Sequence, residues 1–169
     1  PYGIYARYIL CLRALKPIDA DPGAADYGSV IHHALDRFLK ETSGGLPTDA
    51  LDKLLAIGRE TFGGILERPG ARAFWWPRFE RIAQWFIDQE RQRQSLLTSS
   101  HSEIKGEITI DAPGGAFKLY GIADRIDTFK DGRLVLIDYK TGAPPSNTEI
   151  AAGYAPQLPL EGAMVAAGG

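Results

Sequence analysis

The hydrophobic pattern of the chain changes near residue 101, and this change restricts the folds open to it. Up to that point apolar residues recur at the spacing of amphipathic helices. The predicted helices cover 2–15, 24–41, about 49–63 and 72–97, with Pro77 as a candidate kink in the last. Beyond residue 101, apolar and polar residues alternate over 103–110, 116–129 and 133–140, which predicts three strands.

Two turn sequences join these strands into a meander. Pro113-Gly114-Gly115 separates the first two strands, and Asp131-Gly132 is typical of a tight hairpin. A last helix is predicted over 147–166. The order of helices, strands and a further helix indicates an α/β (α+β) fold, with a mixed β-sheet flanked by helices and an N-terminal helical part.

The composition is typical of one domain with a packed core and excludes several other classes of protein. The 169 residues are 44% hydrophobic, and the net charge of −2 argues against a strongly basic nucleic-acid-binding chain. The single cysteine, Cys11, excludes an internal disulfide and is interpreted as a small apolar helix residue. We expect no membrane span and a cytoplasmic location. We interpret 1–169 as a single domain, helical over 1–100, and as a fragment of a larger chain because it begins at Pro1.

The third predicted strand ends in an acid and a lysine that share one face. Side chains alternate along a strand, so Asp138 and Lys140 project with Leu136, whereas Tyr139 faces the other way. A strand that simply ends in solvent would carry the same pattern. The strand alone therefore does not distinguish a functional site from a solvated end.

Asp124 lies on the preceding strand, between Ile122 and Ile126 of the same face. A carboxylate among apolar side chains needs a cationic partner, because an unpaired buried charge is costly. Lys140 could be that partner in a purely structural arrangement. Alternatively, a divalent metal ion could be shared between Asp124 and Asp138, since hard cations prefer carboxylate oxygens.

The helix predicted over 24–41 adds a third polar group. At about 100° per residue, His32 lies at the edge of the apolar face, and His33 lies on the polar side. A histidine at such an edge is ordinarily a satisfied core residue, with metal ligation as the alternative. Gly28 falls on the packed face, where the absence of a side chain permits close approach.

Several other residues receive structural interpretations. Arg125 and Asp127, opposite Asp124, are predicted to form an ion pair at the surface or in a second layer, with a contact between Arg125 and a phosphate as the alternative. An acid behind the site is the less favoured interpretation of Glu107. The aromatic residues predicted to form a helical core cluster, with stacking on nucleic-acid bases as the alternative, are Trp75, Trp76, Trp85 and Phe86.

Together these residues resemble the ordered motifs of RecB-like nucleases in the PD-(D/E)xK superfamily. Gly28–His32 is similar to the G-x-x-x-H helix motif, and Gly121–Asp124 is similar to the G-x-x-D strand motif. Asp138–Thr141 is similar to the D-Y-K-[ST] signature, and 154–157 is similar to the Y-x-x-Q helix motif. The sequence departs from the pattern at Glu161, a position where family members often have tyrosine.

This resemblance implies a metal-dependent deoxyribonuclease, an exonuclease that hydrolyses phosphodiester bonds on a restriction-endonuclease-like fold. The implied metal ion is Mg²⁺ or Mn²⁺. Its implied ligands are His32, Asp124, Asp138 and the backbone carbonyl of Tyr139. The implied catalytic residues are Asp124, Asp138, Lys140 and Gln157. Lys140 would lie near the attacking water, and Gln157 would bind DNA or the water network.

Within the superfamily, Pro1–Arg7 and the two acidic strand ends, 124–127 and 138–142, look most like the C-terminal nuclease domains of AddB proteins. That likeness implies DNA and an AddA-like helicase–nuclease subunit as partners, in double-strand break repair and recombination in the bacterial cytoplasm. Some AddB proteins also hold an iron–sulfur cluster through cysteines outside the nuclease core. Cys11 is out of register with them, so no cluster is expected in this fragment.

Two other functions stay open at this level. The first is a catalytically silent DNA-binding or subunit-docking module of the same complex. The presence of His32, Asp124, Asp138 and Lys140 together argues against it, because a silent module has no need of all four. The second is an unrelated metal-binding α/β protein or a phosphoesterase that acts on small molecules.

Overall fold

A computed structural model of the chain describes residues 2–12 and 21–168. Its α-helices are α1 (Tyr2–Ile4), α2 (Ala24–Glu41), α3 (Ala50–Phe62), α4 (Trp76–Gln94), α5 (Asn147–Ala151) and α6 (Gln157–Ala166). Shorter helical segments of π or 3₁₀ type cover Tyr5–Ile9, Gly63–Glu67 and Ala71–Trp75. The strands are β1 (Leu97–Ile110), β2 (Phe117–Phe129) and β3 (Leu134–Ile137).

The three strands form a meander in the order β1-β2-β3, and each pair is antiparallel. The register places Ile108 opposite Leu119, and Arg125 opposite Ile137. Helices flank this sheet, which confirms the predicted α/β class and agrees with a restriction-endonuclease-like fold. Among the described helices, none has both the length and the hydrophobicity needed to cross a membrane.

Several predicted element boundaries are wrong. The first strand begins at Leu97 and not at residue 103, and the helix predicted over 72–97 ends before it, at Gln94. β3 ends at Ile137, so Asp138 and Lys140 lie beyond the strand rather than within it. The helix predicted over 147–166 is two helices, because Gly153 adopts a φ of 79° and Pro156 has no N–H to donate. Pro77 lies in the first turn of α4, directly after the π-helical segment Ala71–Trp75, at a position where its missing N–H is tolerated.

The N-terminal helix is shorter than predicted. The helical segments end at Ile9, and Cys11 follows them with a φ of 51° and an exposed side chain. The interpretation of Cys11 as a helix residue is therefore wrong. The rest of the predicted 2–15 helix, from residue 13 onward, lies outside the described residues.

The hydrophobic core lies among α2, α3 and α4, whose apolar faces meet. Its buried members include Ile31, Phe38, Leu54, Phe79 and Phe86. Tyr139, next to the end of β3, packs against this cluster and makes an edge contact with the ring of Phe86. The helical core therefore supports one side of the segment that follows β3, which is where the candidate site lies.

Substitution of alanine for two helical glycines is expected to have opposite effects on stability. A Cβ at Gly58 in α3 would overlap the ring of Phe79 in α4, whereas a Cβ at Gly162 in α6 would lie 3.8 Å from Leu136 Cδ1, an ordinary contact. We expect Gly58→Ala to lower the free energy of unfolding by about 1–3 kcal/mol, because the helices must separate. The matched Gly162→Ala variant should be neutral or gain up to about 1 kcal/mol from helix propensity. Urea unfolding of both variants checks this packing, and equal stabilities would contradict it.

Candidate active site

The predicted site residues come together where the sheet meets α2 and α6. Asp124 lies on β2, and Asp138, Tyr139 and Lys140 directly follow β3. α2 contributes His32, and Gln157 is the first residue of α6. Four separate segments of the chain therefore supply neighbouring polar groups.

Asp124 is held by groups from two other segments. His32 Nδ1 lies 3.4 Å from Asp124 Oδ2, and the Tyr139 N–H donates to the same oxygen at 2.8 Å. Burial raises the pKa of Asp124, but the hydrogen bonds from His32 and the Tyr139 N–H outweigh it, so the net pKa lies below its ordinary value. The hydrogen bond to Asp124, reinforced by one to the Tyr139 backbone, raises the pKa of His32 against the opposing effect of burial. Each member of the pair therefore stabilises the charged form of the other.

Lys140 pairs with Asp138 and not with Asp124. Its Nζ lies 2.9 Å from Oδ1 and 2.7 Å from Oδ2 of Asp138, and it donates to Gln157 Oε1 at 2.9 Å. Gln157 Nε2 donates in turn to Asp138 Oδ1 at 3.0 Å. The purely structural pairing of Lys140 with Asp124 is therefore not the one observed. These three side chains form a closed hydrogen-bonded ring next to the Asp124–His32 pair.

A further acid, Glu161, lies at this site although the sequence marks it only as a departure from the family pattern. Its side chain is 7% exposed, and its Oε1 accepts from Gln157 Nε2 at 3.1 Å. Burial raises the pKa of Glu161, and the charges of Asp138 and Asp124 raise it further. The available sequence signal was the i, i+4 spacing from Gln157, which puts both residues on one face of a helix.

Behind the site, Tyr139 joins a buried network of charged groups. Arg125, fully buried, donates to Asp127 Oδ1 and to Glu90 Oε1, each at 2.6 Å, and to the Tyr139 hydroxyl at 3.3 Å. Burial lowers the pKa of Arg125, but these carboxylates raise it well above its ordinary value; burial also raises the pKa of Tyr139 to about 12. Of the two locations predicted for the Arg125–Asp127 pair, the surface is wrong, because both side chains project from β2 toward α4 and are buried. The pair lies in a second layer behind the site.

Contacts with α2 and with α4 position the loop that follows Lys140. A Cβ at Gly28 would lie 3.2 Å from Thr141 Oγ1, and Arg78 donates to the Thr141 carbonyl at 2.7 Å. Gly28 therefore allows the close approach that its helical position predicts. His33, on the same helix, is exposed, also as predicted.

Other candidate residues lie apart from this cluster. Glu107 is exposed and pairs with Lys118 at 3.5 Å, so it is not an acid behind the site. Of the four aromatic residues, Phe86 is buried and Trp75 and Trp76 pack against the core, but Trp85 is 59% exposed. The core interpretation therefore fails for Trp85.

Two cavities differ in their relation to the site. A groove of about 330 Å³ is lined by Trp85 and also by residues 137–141, so it opens beside Lys140. A larger cavity of about 470 Å³ lies between the end of α2, the end of α4 and the start of β1, and none of the predicted site residues lines it. The convergence of polar groups, and not cavity size, marks the candidate site.

The model of the PD-(D/E)XK nuclease superfamily matches residues 1–169. The chain belongs to this superfamily. Uncharacterized proteins of Rickettsia bellii (strain RML369-C) and Rickettsia felis (strain ATCC VR-1525 / URRWXCal2) are 33% and 32% identical to it over 98% of the chain. The chain spans about 20% of the length of these relatives. No solved structure matches it.

PD-(D/E)XK nucleases typically use divalent metal ions such as Mg²⁺, and the donors at this site suit such an ion in part. Asp124 and Asp138 are hard oxygen donors, and His32 adds an imidazole. Yet within residues 2–12 and 21–168 no three His, Cys, Asp or Glu side chains are arranged to hold an ion. Lys140 bonds both oxygens of Asp138. A metal ion at Asp138 would therefore compete with the Lys140 ammonium group for this carboxylate.

Proposed function

We propose that this chain is a divalent-metal-dependent DNA nuclease domain that hydrolyses phosphodiester bonds as an exonuclease. Membership of the superfamily supports a nuclease-type activity. The observation that carries the proposal is the ring of Asp138, Lys140 and Gln157 beside the Asp124–His32 pair. It combines paired carboxylates with an ammonium group, which are the groups that phosphodiester hydrolysis needs.

The proposed mechanism divides the work among these side chains. Asp124, Asp138 and His32, with the Tyr139 carbonyl, would hold Mg²⁺ or Mn²⁺, which when bound supplies Lewis acidity and activates water. Lys140, held between Asp138 and Gln157, would orient the attacking water and stabilise negative charge that develops on the phosphate. Gln157 would bind the DNA or its water from the start of α6.

The test is cleavage of end-labelled linear single- and double-stranded DNA in Mg²⁺, in Mn²⁺ and with a chelator. We expect cleavage that the chelator abolishes. Turnover of a small chromogenic phosphodiester in place of DNA would favour a small-molecule phosphoesterase. No cleavage under any condition would favour the silent DNA-binding or docking module, with which the Lys140–Asp138 pairing is compatible.

Lys140→Ala separates the chemical role of this lysine from a structural one. We expect the cleavage rate to fall about a hundredfold or more, because a group that acts on the reacting atoms is lost. Metal affinity, measured by calorimetry, should stay the same or rise, because a competing cation leaves Asp138. The matched Lys118→Ala variant removes an exposed lysine that pairs with Glu107, and it should behave as the parent. Weaker metal binding by Lys140→Ala would assign Lys140 a structural role.

We further propose that residues 1–169 form one domain of a longer cytoplasmic bacterial protein, which acts with an AddA-like helicase–nuclease subunit in double-strand break repair. The support is the resemblance of Pro1–Arg7 and of the Asp124 and Asp138 motifs to AddB proteins. Copurification of the full-length protein with an ATP-dependent helicase tests this assignment. A full-length protein that cleaves DNA with no such partner would contradict it.

A further inference from the structure

The amide of Gln157 lies among three charged side chains that all specify the same orientation. Its Nε2 donates to Asp138 Oδ1 at 3.0 Å and to Glu161 Oε1 at 3.1 Å, and its Oε1 accepts from Lys140 Nζ at 2.9 Å. A primary amide has two N–H donors and one carbonyl acceptor, so every partner matches the group it faces. The reversed amide would place its carbonyl against two carboxylates and its NH₂ against an ammonium group.

Burying the Glu161 carboxyl group costs free energy of folding. Its hydrogen bond to Gln157 therefore indicates why a glutamate occupies this position. The side chain is 7% exposed, and its Oε2 has no hydrogen-bond partner among the residues that the structure describes. A Cβ at Gly121 on β2 would lie 3.8 Å from Glu161 Cγ, so the stem packs against the sheet as an apolar residue would. An apolar side chain of similar size would fill this position without a buried carboxylate. The bond to Gln157 is therefore the interaction that distinguishes glutamate here.

We propose that Glu161 is a positioning residue that fixes the Gln157 amide and, through it, the Lys140 ammonium. Without Glu161, the exposed Gln157 side chain keeps only Asp138 as an acceptor and can turn into solvent. Lys140, which is 41% exposed, then loses the carbonyl that holds it beside Asp138. The geometric part of this proposal stands on the contacts alone, and its consequence for catalysis rests on the proposed nuclease function.

The geometric part is tested by NMR of the Gln157 side-chain amide, whose signals are identified by their loss in Gln157→Ala. We expect slow hydrogen exchange of this NH₂ group in the parent, loss of that protection in Glu161→Leu, and its return in Glu161→Gln, whose carbonyl also accepts a hydrogen bond. The melting temperature of Glu161→Leu should not fall. Unchanged amide protection in Glu161→Leu overturns the proposal. Lost protection together with a lower melting temperature assigns Glu161 a structural role instead.

DNA cleavage gives the second readout. Glu161→Leu should lower kcat about tenfold to a hundredfold, because Lys140 is misplaced, and it should change the KM for DNA no more than Gln157→Ala does. In a Gln157→Ala background the same substitution should lower kcat no further, since Glu161 acts through Gln157. An additional loss in that background contradicts the proposed path of action. A parent that cleaves no DNA overturns the proposed nuclease function, and the amide signals still decide the positioning role.

Discussion

Asp138→Asn is expected to abolish metal-dependent DNA cleavage while leaving the fold intact. The substitution preserves the shape of the side chain but removes the negative charge that pairs with Lys140 at 2.7 Å. In the proposed mechanism that charge also holds the metal ion, so two functions fail together. We expect the rate to fall at least about a hundredfold, the loss typical of removing one preorganised electrostatic group. The measurement is cleavage of end-labelled linear DNA in Mg²⁺ and in Mn²⁺.

The control for this prediction is Asp52→Asn, the same chemical change at an exposed position in the first turn of α3. It should cleave as the parent does. Thermal unfolding of both variants separates loss of chemistry from loss of structure. A near-parent rate for Asp138→Asn in Mg²⁺ would place the catalytic centre elsewhere in the chain.

Arg125→Met is expected to be the most destabilising of these substitutions. Arg125 is fully buried and neutralises Glu90 and Asp127 at 2.6 Å each. Its removal leaves two carboxylates in the interior with no cation of equal reach, because Arg93 approaches Asp127 only to 3.8 Å. Removing one partner of a buried ion pair lowers the free energy of unfolding by about 3–5 kcal/mol. For a chain of this size that lowers the melting temperature by roughly 10 °C. Urea unfolding measures the change.

Two further variants separate charge from packing. Arg133→Met removes an exposed arginine that pairs with Asp131, and it should leave the stability essentially unchanged because solvent screens an exposed pair. Arg125→Met combined with Glu90→Leu and Asp127→Val should recover much of the loss, because no buried charge is left unpaired. If Arg125→Met alone is as stable as the parent, the network does not depend on its cation.

The position of Tyr139 links these two predictions. Its hydroxyl accepts from the buried Arg125, its ring packs on Phe86, and its backbone N–H holds Asp124. The buried network therefore supports the segment that carries Asp138 and Lys140. A variant that disturbs Arg125 yet still folds should also displace the Asp124 carboxylate.

Much of the fold could be predicted from periodicity, because helices and strands each leave a local repeat in the sequence. The apolar stripe of 24–41 and the alternation over 116–129 correspond to α2 and β2 within one residue at each end. The break at Gly153 and the end of β3 at Ile137 were missed. The end of β3 depends on where its pairing with β2 stops, which a repeat does not report. The break at Gly153 has a local cause in the glycine and in Pro156, which the helical periodicity of 147–166 outweighed.

The sequence by itself determined which residue types could form a site, and only the tertiary structure decided how they pair. Strand and helix positions indicated that Asp124, Asp138 and His32 could face one another. They did not show whether Lys140 pairs with Asp124 or with Asp138, because both acids were predicted on the same face as Lys140. The choice depends on the strand register and on where β3 ends. The burial of Arg125 and the contact of Glu161 with Gln157 likewise depend on α4 and α6. Partners of a buried charge are supplied by elements distant in sequence, and their positions are set by packing.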